Sequence, residues 1–168
     1  MNTHSDFEDF FRLLESNGVE YMIVGGYAVA FHGYPRFTKD VDVFFDATPA
    51  NADRLRAALV EFGFQPATVS DDVLLKPDAV VAIGLEPVRI DLPGSIDGVT
   101  FAEARQATVR GRYGGIEVNF RGRADLIRNK RASGTNGPRA GSAISATSKS
   151  CSRRARTFAT DHLVDVAA

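Results

Sequence analysis

The chain has little that would commit it to a disulfide framework, a zinc site or a membrane. Its 168 residues include one cysteine, Cys151, so no internal disulfide can form, and a lone thiol suits a reducing compartment. No Cys/His cluster shows the spacing of zinc ligands. No apolar run approaches the ~20 residues that cross a bilayer. Residues Met1 to Glu8 have neither the basic region nor the apolar core of a secretory leader. An excess of one charge is missing too. Twenty Lys and Arg stand against 21 Asp and Glu, for a net charge of −1 and a pI of 6.3. No global field therefore draws the chain to nucleic acid or to a membrane, although local basic clusters remain open. The expectation is a cytoplasmic protein without membrane segments, long enough for one domain with its own core.

What is present is concentrated in residues 21 to 46. An apolar run, Tyr21 to Val24, stops at Gly25-Gly26 and is followed by a short apolar segment, Tyr27 to Phe31. A loop punctuated by Gly33 and Pro35 carries Arg36 and Thr38 into Asp40-Val41-Asp42-Val43-Phe44-Phe45, which reads as a strand. Residues two apart on a strand share a face, so Asp40 and Asp42 project together, roughly 6–7 Å apart, a spacing that can hold a divalent metal. A lone Gly-Gly marks turns, and a lone Asp-x-Asp marks solvated strand edges. Within Val/Phe-rich sequence the second reading weakens, because buried carboxylates are costly without a metal or hydrogen-bond donors. The glycine pair also precedes a helix over about 26–33, whose first N–H groups can face a phosphate. Arg36 can pair with phosphate or hold Asp40, and Thr38 can bind phosphate or its own backbone. Both are equally at home in a solvated loop. Asp46 shares the parity of Asp40 and Asp42 but lies beside a turn, where capping or solvation is the expectation. His32 reads as a helix-end histidine packed in the fold.

The remaining chain reads mostly as scaffold. Ser5-Asp6-Phe7-Glu8 is a capping-box pattern, and Phe7, Phe10, Phe11 and Leu14 follow at helical spacing until Gly18. Thr48-Pro49 opens a second long helix with Leu55, Ala58, Leu59 and Phe62 on one side and Gly63 as its stop. Strands are expected at 79–84 and 87–92 as a hairpin, a helical turn at 101–106, and a second hairpin around Tyr113-Gly114-Gly115. Asp91 stands between Ile90 and Leu92, a charge that needs a partner if buried. Asp97 sits in a glycine-flanked loop and reads as a turn residue. Arg123 to Ala132 forms a short helix with Leu126 and Ile127 apolar and Arg128, Lys130 and Arg131 basic.

Gly25-Gly26 followed by Asp40-x-Asp42 resembles the signature of the nucleotidyltransferase superfamily with the polymerase-beta-like fold. The fuller string of Val24-Gly25-Gly26-Tyr27-Ala28, His32-Gly33 and Arg36-x-Thr38-x-Asp40-x-Asp42 resembles its small bacterial branch of AbiEii-like toxins and minimal nucleotidyltransferases. The resemblance spans about residues 5 to 133. It implies an α/β (α+β) fold, a small mixed sheet with packed helices, and transfer of a nucleoside monophosphate from an NTP to an acceptor hydroxyl. It further implies Mg²⁺, or Mn²⁺, on Asp40 and Asp42, with Asp91 as the third carboxylate that shares a metal and helps deprotonate the hydroxyl. Gly25 and Gly26 would cradle the triphosphate, Arg36 and Thr38 would belong to the nucleotide site, and Lys130 would approach the phosphates. The acceptor could be tRNA, a small molecule or a protein, and toxin activity or antibiotic modification is the implied setting. A nucleotide-binding module without turnover, or an interaction protein with an operon-encoded partner, are the competing expectations.

Past residue 133 the chain departs from that pattern. The expected Arg/Lys-Asp-rich closing helix is replaced by Gly, Ser, Ala and Arg, a composition with too little apolar surface to order itself. The division expected is a nucleotidyltransferase-like domain over 1–133 and a flexible, atypical tail over 134–168.

Overall fold

The computed structural model describes residues 5–34, 38–76, 78–85, 88–136 and 143–146. Helix α1 (Ser5–Ser16) turns Phe7, Phe10, Phe11 and Leu14 into the core, the stripe that i, i+3, i+4, i+7 spacing produces. Gly18, at φ +63°, ends it, and the Val19 N–H donates to the Leu14 carbonyl at 3.0 Å. The expected capping box differs: the helix already includes Ser5, whose hydroxyl donates to Asp6 Oδ1 at 3.5 Å.

Strand β1 (Tyr21–Val24) leads into α2 (Gly25–Phe31), and the chain returns as β2 (Val41–Phe45), antiparallel to β1. Helix α3 (Pro49–Phe62) starts on proline and stops at Gly63, whose φ of +119° a side chain would resist. Its buried stripe contains Leu55, Ala58, Leu59 and Phe62 as expected, and also Asn51. The Asn51 carboxamide accepts from the Glu20 N–H at 2.8 Å and donates to the carbonyls of Glu20 (3.0 Å) and Asp46 (2.9 Å). One side chain thereby ties the start of α3 to the beginning of β1 and the end of β2.

A 3₁₀ turn (Pro66–Val69) and a one-turn helix α4 (Asp71–Leu74) follow. Asp71 sits in α4 and pairs with Arg56 of α3. The hairpin β3 (Val80–Leu85) and β4 (Val88–Pro93) comes next, in antiparallel register. Helix α5 (Phe101–Gln106) opens with a complete capping box between Thr100 and Glu103. The second hairpin joins β5 (Val109–Tyr113) to β6 (Ile116–Phe120) through Gly114, at φ +57°, and Gly115. Helix α6 (Arg123–Asn136) closes against α2 and the 97–98 loop, where Asn129 donates to the Asp97 carbonyl at 2.8 Å.

The strands form one mixed sheet in the order β5-β6-β1-β2-β4-β3-β7, where β7 (Ala143–Ala146) runs parallel to β3 at the edge. This differs at two places from the tail expected over 134–168: α6 runs on to Asn136, and β7 adds four paired residues. Strand addition is a backbone interaction, so a segment poor in apolar side chains can still supply it. Residues 137–142 and 147–168 lie outside the described residues.

Alternation sorts the strands into two faces. Tyr21, Ile23, Val43, Phe45, Ile90 and Leu92 join α1 and α3 in the large core. Met22, Val24 and Phe44 point the other way into a small cluster with Val99 and Ala104. Among the described residues no helix is long and apolar enough to cross a membrane.

Candidate active site

Strand parity fixes where the carboxylates go. Val41 and Val43 face the large core, so Asp42 between them projects from the opposite face, and Ile90 and Leu92 do the same for Asp91. β2 and β4 run parallel with Asp42 opposite Asp91, so the two side chains rise from adjacent strands about 4.8 Å apart. Asp40 immediately precedes β2 on the same side. The strand expected from Asp40 thus starts one residue later, without changing that side.

Arg89 joins the set by the same parity, two residues before Asp91. Its Nε lies 2.8 Å from Asp91 Oδ1, and Nη2 donates to Asp91 Oδ2 at 2.9 Å. The same guanidinium reaches Asp40 Oδ2 at 3.5 Å. The Nε contact lacks hydrogen-bond alignment, and Asp40 Oδ1 is buried with no hydrogen-bond partner among the described residues. Burial, then the negative charges of Asp91 and Asp40, push the Asp42 carboxyl up to about 6, against the pull of Arg89 and the Gly26 N–H. Burial likewise raises Asp91, with Asp40 adding to the effect and the Arg89 hydrogen bond and charge opposing it.

The glycine pair is shaped by these neighbours. Gly25 has φ +60°, and a Cβ there would lie 1.9 Å from Asp42 Oδ2. A Cβ on Gly26 would lie 2.8 Å from Thr38 Cβ. Only a bare backbone lets Asp42 and Thr38 approach so closely, and the Gly26 N–H expected to face a phosphate is hydrogen-bonded to Asp42. Thr38 takes the backbone alternative, its hydroxyl donating to the Asp40 carbonyl at 3.0 Å, which shapes the turn into β2.

Gly25, Gly26, Thr38, Asp40, Asp42 and Asp91 are therefore gathered at the junction of β1, β2 and β4. Arg36 lies outside the described residues, as does the Lys130 side chain. His32 is packed in the fold: its Nε2 is 2.8 Å from the Arg121 carbonyl, and since a carbonyl only accepts, Nε2 carries the proton. Asp97 is a turn residue, as expected. Arg89 was legible by the parity argument applied to Asp40 and Asp42. Arg121 had no such signal. It is fully buried beyond β6, none of its guanidinium nitrogens has a hydrogen-bond partner among the described residues, and burial lowers its pKa against the charge of Asp125.

Among the described residues, no group of three or more His, Cys, Asp or Glu side chains is preassembled as a metal site. The chemistry of the set nevertheless fits a divalent cation. Three oxygen-donor carboxylates share one face, one buried oxygen lacks a donor among the described residues, and burial followed by mutual repulsion raises Asp42. Between Asp40 and Asp91 the guanidinium of Arg89 supplies the positive charge.

A family model described as nucleotidyl transferase of unknown function (DUF2204) matches residues 3–131. Among solved structures, the chain resembles a Thermotoga maritima protein described as a "putative nucleotidyltransferase", at 12% identity and a TM-score of 0.55. That match covers 77% of this chain and 83% of the other, a likeness of fold. No curated protein matches the sequence.

Proposed function

Because the chain belongs to the family described as nucleotidyl transferase of unknown function, we propose that it moves a nucleoside monophosphate from an NTP to an acceptor hydroxyl. The observation that carries this reading is the placement of Asp40, Asp42 and Asp91 on one sheet face beside the Gly25-Gly26 turn. Asp40, Asp42 and Asp91 would hold Mg²⁺ or Mn²⁺, which would neutralise the triphosphate and stabilise the attacking and leaving oxygens. Asp42 is held in place by the Gly26 N–H, and Asp91, made more basic by burial, is suited to take the proton of the acceptor hydroxyl. The hydroxyl oxygen then bonds to the α-phosphorus as the bond to the bridging oxygen breaks and pyrophosphate leaves. Gly25 and Gly26 border the triphosphate, and Arg36 and Lys130 supply charge to it. Thr38 supports the turn beneath it. The sequence string shared with the AbiEii-like branch favours a toxin-type setting, with tRNA or another cellular molecule as acceptor.

One observation favours a second reading, a nucleotide-binding or interaction module without turnover: Arg89 lies between Asp40 and Asp91, where cation binding would be contested. Calorimetric titration of the four NTPs with Mg²⁺ separates the two, using wild type, Asp40→Ala/Asp42→Ala and Arg89→Gln. The transferase reading expects Mg²⁺-dependent binding of at least one NTP, its loss in the double variant, and labelled NMP transfer to an acceptor by wild type. Mg²⁺ that binds Arg89→Gln but not wild type would favour the module. A folded wild type that binds no NTP would overturn both nucleotide readings.

A further inference from the structure

A cavity of about 390 Å³ opens between α6 and the C-terminal half of α2 with the residues that follow it. It lies near the lower end of the range for ligand pockets, so it suits a small planar group better than a folded protein segment. Val29, His32, Leu126 and Ile127 provide most of its surface, with Tyr34, Arg123 and Arg131 around them. The chemistry is apolar, aromatic and cationic, and no acidic side chain is among these lining residues.

The aromatic group is presented rather than packed away. Tyr34 is 54% exposed, and Ile127 is 44% exposed beside it. Arg123 Nη2 donates to the Tyr34 hydroxyl at 2.5 Å, and its Cζ lies 5.2 Å from the ring centroid. The ring is therefore held by its polar end, so less side-chain freedom is lost when a flat ligand settles on it. His32 is fixed by the Arg121 carbonyl. Together these groups offer a stacking surface, apolar walls and positive charge for an anion attached to the stacked ring.

We propose that this cavity is a nucleobase subsite, taking a purine or pyrimidine ring that carries a phosphate. The proposal rests on the nucleotidyl-transfer reading and extends it. Aromatic stacking with neighbouring arginine is the recognition that single-stranded nucleic acids use, and it tolerates any base. Charge complementarity names the ligand: three cationic or imidazole side chains with apolar walls match a base joined to phosphate. Location agrees, because Val29 and His32 stand four and seven positions after Gly25, about 6–10 Å at the helical rise, a separation that one nucleotide unit bridges. The base belongs either to the donor NTP or to the terminal nucleotide of a nucleic-acid acceptor.

The test uses the full chain and two probes: the four NTPs with Mg²⁺, and a single-stranded hexaribonucleotide in EDTA. Wild type, Tyr34→Ala, Tyr34→Phe and Ile127→Glu are titrated with each, and circular dichroism confirms that each is folded. Tyr34 and Ile127 are both exposed, so none of these substitutions opens the core. The subsite expects binding to weaken at least tenfold for one probe in Tyr34→Ala and in Ile127→Glu, and to stay within about threefold of wild type in Tyr34→Phe. Weakening of the NTP identifies the donor base, and weakening of the hexamer identifies the acceptor. Mg²⁺-dependent NTP binding that is lost in Asp40→Ala/Asp42→Ala but unchanged in Tyr34→Ala, with the hexamer also unaffected, would overturn the subsite and leave the transferase standing. Absence of binding to both probes by folded wild type would overturn the subsite together with the transfer reading.

Discussion

Asp42 carries its charge against burial and against two neighbouring carboxylates, and this gives it a stability signature that needs no substrate. Its carboxyl has an ordinary value of 3.8 and is pushed up to about 6 in the fold. Between those values the folded state holds more protons than the unfolded one, so this group's contribution to stability falls as pH rises through that window. The full shift corresponds to at most about 3 kcal/mol. Asp42→Asn keeps the shape and removes the titration. Without metal at pH 8 it should exceed wild type in unfolding free energy by about 1–3 kcal/mol, with the gap closing toward pH 4. Urea unfolding of both proteins in EDTA at pH 4, 6 and 8 reads this directly. Equal curves at pH 8 would mean that the carboxylate is not under this strain. The same residues show what sequence could and could not reveal. Asp40, Asp42 and Asp91 were placeable because strand alternation sends charged residues among apolar ones to the opposite face. Arg89 obeys the same rule, two residues before Asp91 on β4. Arg121 follows Phe120 with nothing in the local sequence to mark it as buried.

At the scale of elements, the junction between β1 and α2 is where local sequence and distant packing meet. A glycine pair after an apolar strand announces a turn. That Gly25 must lack a side chain because Asp42 of another strand lies against it is a long-range fact, readable only once β1 and β2 are paired. Gly25→Ala would put a Cβ at positive φ, costing about 1–2 kcal/mol, and would also force Asp42 away. The expected outcome is a loss of at least about 2 kcal/mol in stability, together with loss of Mg²⁺-dependent NTP binding. Gly18→Ala is the control, since Gly18 also has positive φ but a Cβ there meets nothing within 4 Å. It should lose stability by the backbone cost alone and keep nucleotide binding. Chemical denaturation and calorimetry on both variants check this, and matching behaviour would show that contact with Asp42 is unimportant. Elements governed by their own period or caps were legible, including α1, α3, both hairpins and the 101–106 helix. Helix α6 was harder, since its residues beyond Ala132 include Ser133, Gly134 and Thr135, which favour a stop.

For the whole molecule, fold class followed from the family resemblance carried by the Gly-Gly and Asp-x-Asp pair, whereas sheet order did not. Placing β6 beside β1 and β4 beside β2 brings together segments that are distant in sequence, and no local pattern encodes that choice. The part played by the last stretch of chain follows from this topology. Both apolar clusters are assembled from residues between Phe7 and Leu126, and the carboxylate site from residues between Gly25 and Asp91. Strand β7 adds four paired residues to one edge of β3, whose other edge is paired with β4 over six. Ending the chain after Asn136 should therefore cost the few backbone hydrogen bonds of β7, about 1–4 kcal/mol, while water takes their place along β3. The shortened protein should unfold cooperatively at a lower urea midpoint and bind Mg²⁺–NTP within about threefold of the full chain. Its bare β3 edge should also make it associate as concentration rises, measurable by light scattering. If truncation instead abolishes cooperative unfolding or nucleotide binding, the folded unit extends beyond α6, and the segment containing β7 is as much a part of the domain as the strands that carry the carboxylates.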